Sequence, residues 1–252
     1  TVVDELGAGS YSTVYKGIYR DSKDRESEEE TRRTCAIKQQ AIYEQVDEDC
    51  GVSYSFLTEL NNLQLFRHYN IVKLYGAFFY LDTTNLVCEQ MDCDLTYYIK
   101  AMPAQRRLHH TRKLLVSLVK AVMLLNDLGY HHFDIKPSNV LVNFPRVTSQ
   151  SMSLDDSPEE EDVFKLTDFG IAFSTAAYFD YKSKEVCTLW YRPPELHADQ
   201  CYYKDRPDLS SKGDIWSIGL TVLEMIIRRA PIRVRSASEL PPILMNLVDP
   251  LY

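Results

Sequence analysis

The sequence predicts an α+β protein in two lobes, an antiparallel β-sheet carrying one helix followed by a mainly helical lobe. Three observations lead there. Short runs of β-type residues dominate from Thr1 to Gln90, and a single helical stretch from Ser53 to Arg67 interrupts them. From Leu95 onward, apolar residues recur at three- and four-residue spacing. At 252 residues the chain is near the upper size for one hydrophobic core, which suits two lobes working as one unit.

The strands of the first lobe are expected at Val14–Tyr19, Cys35–Gln39, Ile71–Phe79 and Asn85–Gln90. In the second lobe Leu114, Leu118, Val122 and Leu125 mark one helix face, and Gly129 stops it. The first lobe is assigned to residues 1–89, the connection to 90–94 and the helical lobe to 95–252. A two-lobed domain places a ligand cleft at such a junction. Two stretches read as solvated inserts: the charged run 21–33, and 149–162, which is rich in serine and acid without apolar period. Ser153 and Ser157 in the second insert offer modification sites, although a plain solvated linker is the stronger reading of that composition.

Composition narrows the function classes. The chain is 45% hydrophobic, 12% aromatic and 25% charged, within the soluble globular range. A net charge of −8 argues against broad binding to nucleic acid or anionic membrane, so protein or small-molecule partners are expected. Six cysteines, Cys35, Cys50, Cys88, Cys93, Cys187 and Cys201, lack metal-ligand spacing and are too sparse for a disulfide scaffold, as expected of reduced thiols inside a cell. The longest apolar stretch, Ile215 to Ile227, is interrupted by Ser217 and Glu224 and is too short to span a bilayer. The start, Thr1, carries no signal pattern and suits a processed chain or an excised domain.

The chemistry-bearing residues come in a fixed order. Gly7-Ala8-Gly9-Ser10-Tyr11-Ser12-Thr13-Val14 lies between two expected strands, where glycines let backbone close over phosphates. Alone it reads more readily as a two-glycine hairpin turn. Ala36-Ile37-Lys38 follows, an alternating run that turns Lys38 away from the face carrying Ile37. The strong signal is His132-Phe133-Asp134-Ile135-Lys136-Pro137-Ser138-Asn139 followed by Thr167-Asp168-Phe169-Gly170. Asp134 is placed to accept a hydroxyl proton, while Asn139 and Asp168 are oxygen donors suited to magnesium.

Together these motifs resemble the eukaryotic protein kinases over nearly the whole chain. The resemblance implies the bilobal kinase fold and ATP with magnesium as cofactors. It implies that Lys38 contacts the nucleotide phosphates and pairs with Glu59. Gly7, Ala8, Gly9, Ser10, Val14 and Ala36 would surround the nucleotide. Glu89 and Met91 would offer it backbone hydrogen bonds, Asp94 would close the connection, and Cys88 would stand at the gatekeeper position. Asp134, Lys136, Lys38 and Glu59 are the catalytic set, and Lys136 favours serine or threonine acceptors over tyrosine.

Gly51-Val52, Glu89 to Leu95, and Cys187-Thr188-Leu189-Trp190-Tyr191-Arg192-Pro193-Pro194-Glu195 are similar to the cyclin-dependent kinases. That likeness assigns Thr188 and Arg192 to substrate binding and implies protein substrates with proline after the phosphoacceptor. It also implies a cyclin-like activator on the helix near Glu59, without which the Lys38–Glu59 pair is open to being broken, and slightly favours a nuclear location. Asp214 and Trp216 resemble the start of the helix that anchors the catalytic loop.

Several departures stand out. Phe133 replaces the arginine that grips a phosphorylated activation segment in the family, and Thr58 and Phe173 fall where two further arginines are common. Ser183 occupies the phosphoacceptor position, so activity is expected not to depend on its phosphorylation. Ser12 replaces the third glycine of the phosphate loop, while Ser10 and Tyr11 align with inhibitory phosphorylation sites. The family continues through more helices beyond Tyr252, including an arginine partner for Glu195, so the helical lobe is expected to be incomplete. A binding or scaffolding module that kept the fold without turnover is the alternative. An unrelated nucleotide-binding protein is disfavoured by the absence of a Walker-type loop and of a dinucleotide fingerprint.

Overall fold

The structure, a computed structural model, describes residues 1–8, 12–19, 33–42, 52–103, 107–144, 162–174, 187–198, 210–236 and 239. The chain divides into two compact units, Thr1–His68 with Val72–Met91, and Tyr69–Ile71 with Asp92–Tyr252.

The first unit is a five-stranded antiparallel sheet with one helix. Its strands β1 (Val2–Ala8), β2 (Thr13–Tyr19), β3 (Arg33–Ala41), β4 (Leu74–Tyr80) and β5 (Thr83–Glu89) lie in the order β1-β2-β3-β5-β4. The expected strand 71–79 is corrected: β4 begins at Leu74, and Ile71 instead makes an isolated parallel bridge to Leu166 in the second unit. Gly17 in β2 was not singled out from sequence, yet a Cβ there would lie 2.7 Å from Ile37 Cδ1 and 2.9 Å from Cys35 Sγ. A larger residue there would push aside the side-chain ends of Cys35 and Ile37, the two buried residues of β3.

Helix α1 (Tyr54–Leu65) starts because Ser53, in extended conformation, caps it: its hydroxyl accepts the Phe56 N–H at 3.1 Å. Phe56, Glu59, Asn62 and Leu63 are its buried stripe. Glu59 and Asn62 are its polar members, and the partner of Glu59 is described below.

The second unit contains β6 (Cys93–Asp94), α2 (Leu95–Ala101), α3 (Arg107–Asp127), β7 (Tyr130–His131), β8 (Val140–Asn143), β9 (Val163–Leu166), β10 (Phe173–Ser174), α4 (Pro194–Ala198) and α5 (Ser210–Ile227). Helix α3 follows the expected stripe, with Leu114, Leu118, Val122 and Leu125 buried, and Gly129 ends the segment at φ +72°. Helix α2, about two turns long, begins at Leu95, where the helical lobe is expected to start. It is started by Asp94, whose carboxylate accepts the Tyr97 N–H at 2.7 Å. Among the described residues no helix is long and apolar enough to cross a membrane. Cys35, Cys88, Cys93 and Cys187 are free thiols; Cys50 and Cys201 lie outside the described residues.

The chain is tied down just after β8 and just before β9. After β8, Asp92 accepts the Phe144 N–H at 2.7 Å, and the Asp92 N–H reaches Asn143 Oδ1 at 3.1 Å. Before β9, buried Asp162 accepts the hydroxyl of Tyr98 and lies 2.8 Å from His110 Nδ1. Tyr98 packs in turn on Phe144 and edge-on to Phe164.

Candidate active site

In the first unit, strand register gathers the nucleotide candidates. Gly7 pairs with Val14, Val14 with Lys38, and Lys38 with Leu86, one row across four strands. Ala36 lies two residues before Lys38 and so on the same face, paired with Cys88. Lys38 Nζ donates to both carboxylate oxygens of Glu59 at 2.8 Å each. This pair gives the buried carboxylate of α1 its compensating charge. It is closed in the chain alone, although the family resemblance left it open to being broken without an activator. Burial and the nearby Glu59 push the Cys88 thiol up to about 12, which keeps it protonated and unreactive. The Glu89 N–H is bonded to the Lys73 carbonyl at 2.9 Å, so any backbone bond from Glu89 to a nucleotide would use its own carbonyl. Ala8 ends β1; Met91 closes the first unit, and Asp94, one of the nucleotide candidates, is the α2 cap. Gly9, Ser10 and Tyr11 fall outside the described residues.

In the second unit, alternation organises residues 134–136: Ile135 is fully buried, while Asp134 and Lys136 turn the other way. Pro137 then opens a short 3-10 turn that ends at Asn139. Four donors converge on the Asp134 carboxylate. Oδ1 accepts the Thr188 N–H at 3.0 Å and the Thr188 hydroxyl at 2.6 Å. Oδ2 accepts Lys136 Nζ at 2.7 Å and Asn139 Nδ2 at 3.0 Å. Lys136 also donates to Thr188 Oγ1 at 2.8 Å, so the threonine hydroxyl bridges lysine and aspartate.

The loop is held from behind by two buried groups. Asp214, wholly buried in α5, accepts the backbone N–H of His132 at 2.8 Å and of Phe133 at 2.9 Å. His132 is also fully buried; its Nδ1 accepts the Asp134 N–H at 3.2 Å, which assigns the proton to Nε2, 3.0 Å from the Thr167 carbonyl. Sequence reasoning placed Asp214 on the anchoring helix but missed this histidine bridge, since nothing local in the sequence tells which ring nitrogen bonds what.

Asn139 and Asp168 are far apart in sequence and are brought together by a ladder. β8 pairs with β9 with Val140 opposite Leu166, and the Thr167 N–H donates to the Asn139 carbonyl at 3.0 Å. With its amide nitrogen donating to Asp134, Asn139 would turn its side-chain oxygen to a metal, and Asp168 would offer a carboxylate. Two oxygen donors of this kind fit magnesium, which takes only one or two protein ligands when phosphates complete its shell.

Residues 187–192 are fastened to α5 through a small core of Cys187, Tyr191, Leu220, Ile232 and Val234. The Tyr191 hydroxyl donates to Glu224 at 2.6 Å, and burial together with that carboxylate pushes the phenol well above its ordinary range. Cys187 has φ +67°, and its carbonyl accepts Arg192 Nε at 3.3 Å and Nη2 at 3.0 Å. Phe133 at φ +60° and Asp168 at φ +64° share this left-handed backbone. For residues with side chains such geometry costs on the order of 1–3 kcal/mol and gathers at functional sites.

The position of the missing arginine is occupied by an aromatic pair. Phe133 and Phe173 are both buried and stack with ring centroids 4.7 Å apart and planes 12° from parallel. His131, edge-on to Phe133, is held below the ordinary imidazole range by burial, against an opposing pull from Asp214. Two stacked aromatic rings thus stand at two of the positions where the family resemblance places arginines. Ser183 lies outside the described residues.

A two-lobed α+β architecture with this catalytic-loop geometry defines a protein kinase. Residues 1–247 match the protein kinase domain, and the chain belongs to that family. Among its relatives are Cyclin-dependent kinase 15 of Homo sapiens, 30% identical over 223 residues, or 88% of this chain and 43% of the relative. Cyclin-dependent kinase 7 of Xenopus laevis is 29% identical over 226 residues, covering 90% and 55% of the two chains. Cyclin-dependent kinase 15 of Danio rerio is 28% identical over 224 residues, covering 89% and 45%. The chain spans about half the length of these relatives.

Proposed function

We propose that this chain is an active, ATP-dependent protein serine/threonine kinase of the cyclin-dependent-kinase type, directed to serine or threonine followed by proline. The observation that carries the reading is the convergence of Lys136, Asn139 and Thr188 on the Asp134 carboxylate. A substrate hydroxyl offers the same chemistry as the Thr188 hydroxyl already bridging Asp134 and Lys136: it can donate to the aspartate and accept from the lysine. Asp134 then takes the hydroxyl proton, and Lys136 offsets negative charge on the phosphoryl group as it transfers. Lys38, oriented by Glu59, would contact the nucleotide phosphates, and Asn139 and Asp168 would hold magnesium against them.

The preference for proline rests on Cys187. Its carbonyl is engaged by two guanidinium N–H groups of Arg192 and is not offered to a peptide N–H. An ordinary residue after the phosphoacceptor would leave its N–H unpaired there, at a cost of about 1–3 kcal/mol, whereas proline has none to lose. Ser-Pro peptides should therefore be phosphorylated about ten- to a hundredfold more efficiently than matched Ser-Ala peptides. Equal kcat/KM for the two would refute the assignment.

Phenylalanine at positions 133 and 173 supports independence from activation-segment phosphorylation, because a phosphate on Ser183 would find no arginine at either position. Ser183→Ala should transfer phosphate at the wild-type rate within about twofold. A loss of a hundredfold or more would show that another receptor exists. A cyclin-like activator fits the apolar residues that α1 and β4 expose in the first unit, Tyr54, Leu57 and Phe79 among them. The alternative is a non-catalytic binding module, for which Phe133 in place of the loop arginine is one ground; the test is transfer from ATP with magnesium to a Ser-Pro peptide library, with no transfer favouring the module.

A further inference from the structure

One face of α3 is basic where a packed helix would be apolar. His109, Arg112, Lys113, Val116, Ser117 and Lys120 fall at the spacing of a single helical stripe and line a pocket of about 350 Å³. Helix α3 carries no acidic residue before Asp127, so none of these cations has an acid three or four residues away to pair with. Among the described residues neither Arg112 nor Lys120 forms an ion pair, and both are exposed. His110 is turned to Tyr98 and Asp162 instead. The opposite wall is Tyr69 and Asn70, with Lys165 Nζ 5.5 Å from the centroid of the Tyr69 ring. Positive charge is thus concentrated in a concave site on a chain whose net charge is −8.

We propose that this pocket is a docking site for an acidic peptide segment of a protein partner or substrate, separate from the residues around Asp134. The cations supply attraction for carboxylates. The exposed Tyr69 ring and Val116 side chain, beside those cations, suit an apolar side chain flanked by acids. A single pocket on a strongly acidic chain is a poor match for nucleic acid, which needs an extended basic track to follow its phosphates. The assignment does not depend on phosphoryl transfer, and binding is read directly.

The test is fluorescence anisotropy of a labelled Glu-Glu-Leu-Glu-Glu peptide titrated with the full chain, beside a peptide with glutamine in place of each glutamate. The acidic peptide should bind and the glutamine peptide should not, and affinity should fall as salt rises. The double variant Arg112→Glu, Lys120→Glu should weaken binding at least about tenfold. Lys73→Glu with Lys100→Glu, the same change of net charge elsewhere on the surface, should leave binding within about twofold. Both pairs of side chains are exposed, so each variant is expected to fold. Failure of the acidic peptide to bind, or equal losses in the two double variants, overturns the proposal. So does tighter binding of a single-stranded oligonucleotide or of anionic vesicles that is lost in the Arg112/Lys120 variant.

Discussion

Asp134→Asn should lower phosphoryl transfer by about 10²–10⁴-fold, the range associated with removing a positioned general base. The loss has two sources. An amide cannot take the proton of the acceptor hydroxyl, and it cannot satisfy the four donors that meet the carboxylate. In one orientation its nitrogen faces Lys136 and Asn139; in the other it faces the Thr188 N–H, which has no freedom to turn. ATP affinity should change far less, because Lys38 and Glu59 are untouched. The check is kcat against nucleotide Kd in the same preparation. Transfer retained within about tenfold would mean that Asp134 is not the group that receives the proton.

The second large effect is expected at Asp214, which touches no substrate candidate. Asp214→Asn replaces one of two acceptor oxygens with a donor, so a backbone N–H of His132 or Phe133 loses its partner in a fully buried place. The penalty for one such group is about 1–3 kcal/mol, and an N–H facing an NH₂ adds repulsion. The urea midpoint should fall accordingly. Transfer should fall with it, since the two N–H groups belong to the residues directly before Asp134. As a positioning residue, Asp214 should act on kcat with little change in KM for ATP. A wild-type midpoint in the variant would show that water replaces the lost acceptor.

The parts of this architecture that could be read from sequence are those with local cause. Leu114, Leu118, Val122 and Leu125 fix α3 through their spacing, and the alternation around Ile37 places Lys38 on its face of the sheet. The catalytic loop was recognisable because Asp134, Lys136 and Asn139 lie within a few residues of one another. What stayed hidden depends on residues distant along the chain. Gly17 makes room for Cys35 and Ile37 of β3, which pack against it, and Ile71 leaves its expected strand to meet Leu166. The feature on which the proposed proline preference rests, the left-handed backbone of Cys187 and its bond to Arg192, is not spelled out by the letters of the motif. The loss of arginine at position 133 was visible in the sequence. Its replacement by a stack with Phe173 required the fold.

The β8–β9 ladder bears on how this gene can change. Asn139 stands at one foot of the hairpin and Asp168 just past the other, while the insert leaves from the far end, where Asp92 and Asp162 clamp its two roots. Lengthening a loop closed in this way costs only about 0.6 kcal/mol per doubling, and the clamps keep strain from reaching the ladder. Insertions, deletions and replacement of the serine and acid tract can therefore accumulate between lineages without shifting the two oxygen donors by a residue. Related chains should differ widely in length between these roots while keeping the spacing from Asn139 to Asn143 and from Val163 to Asp168.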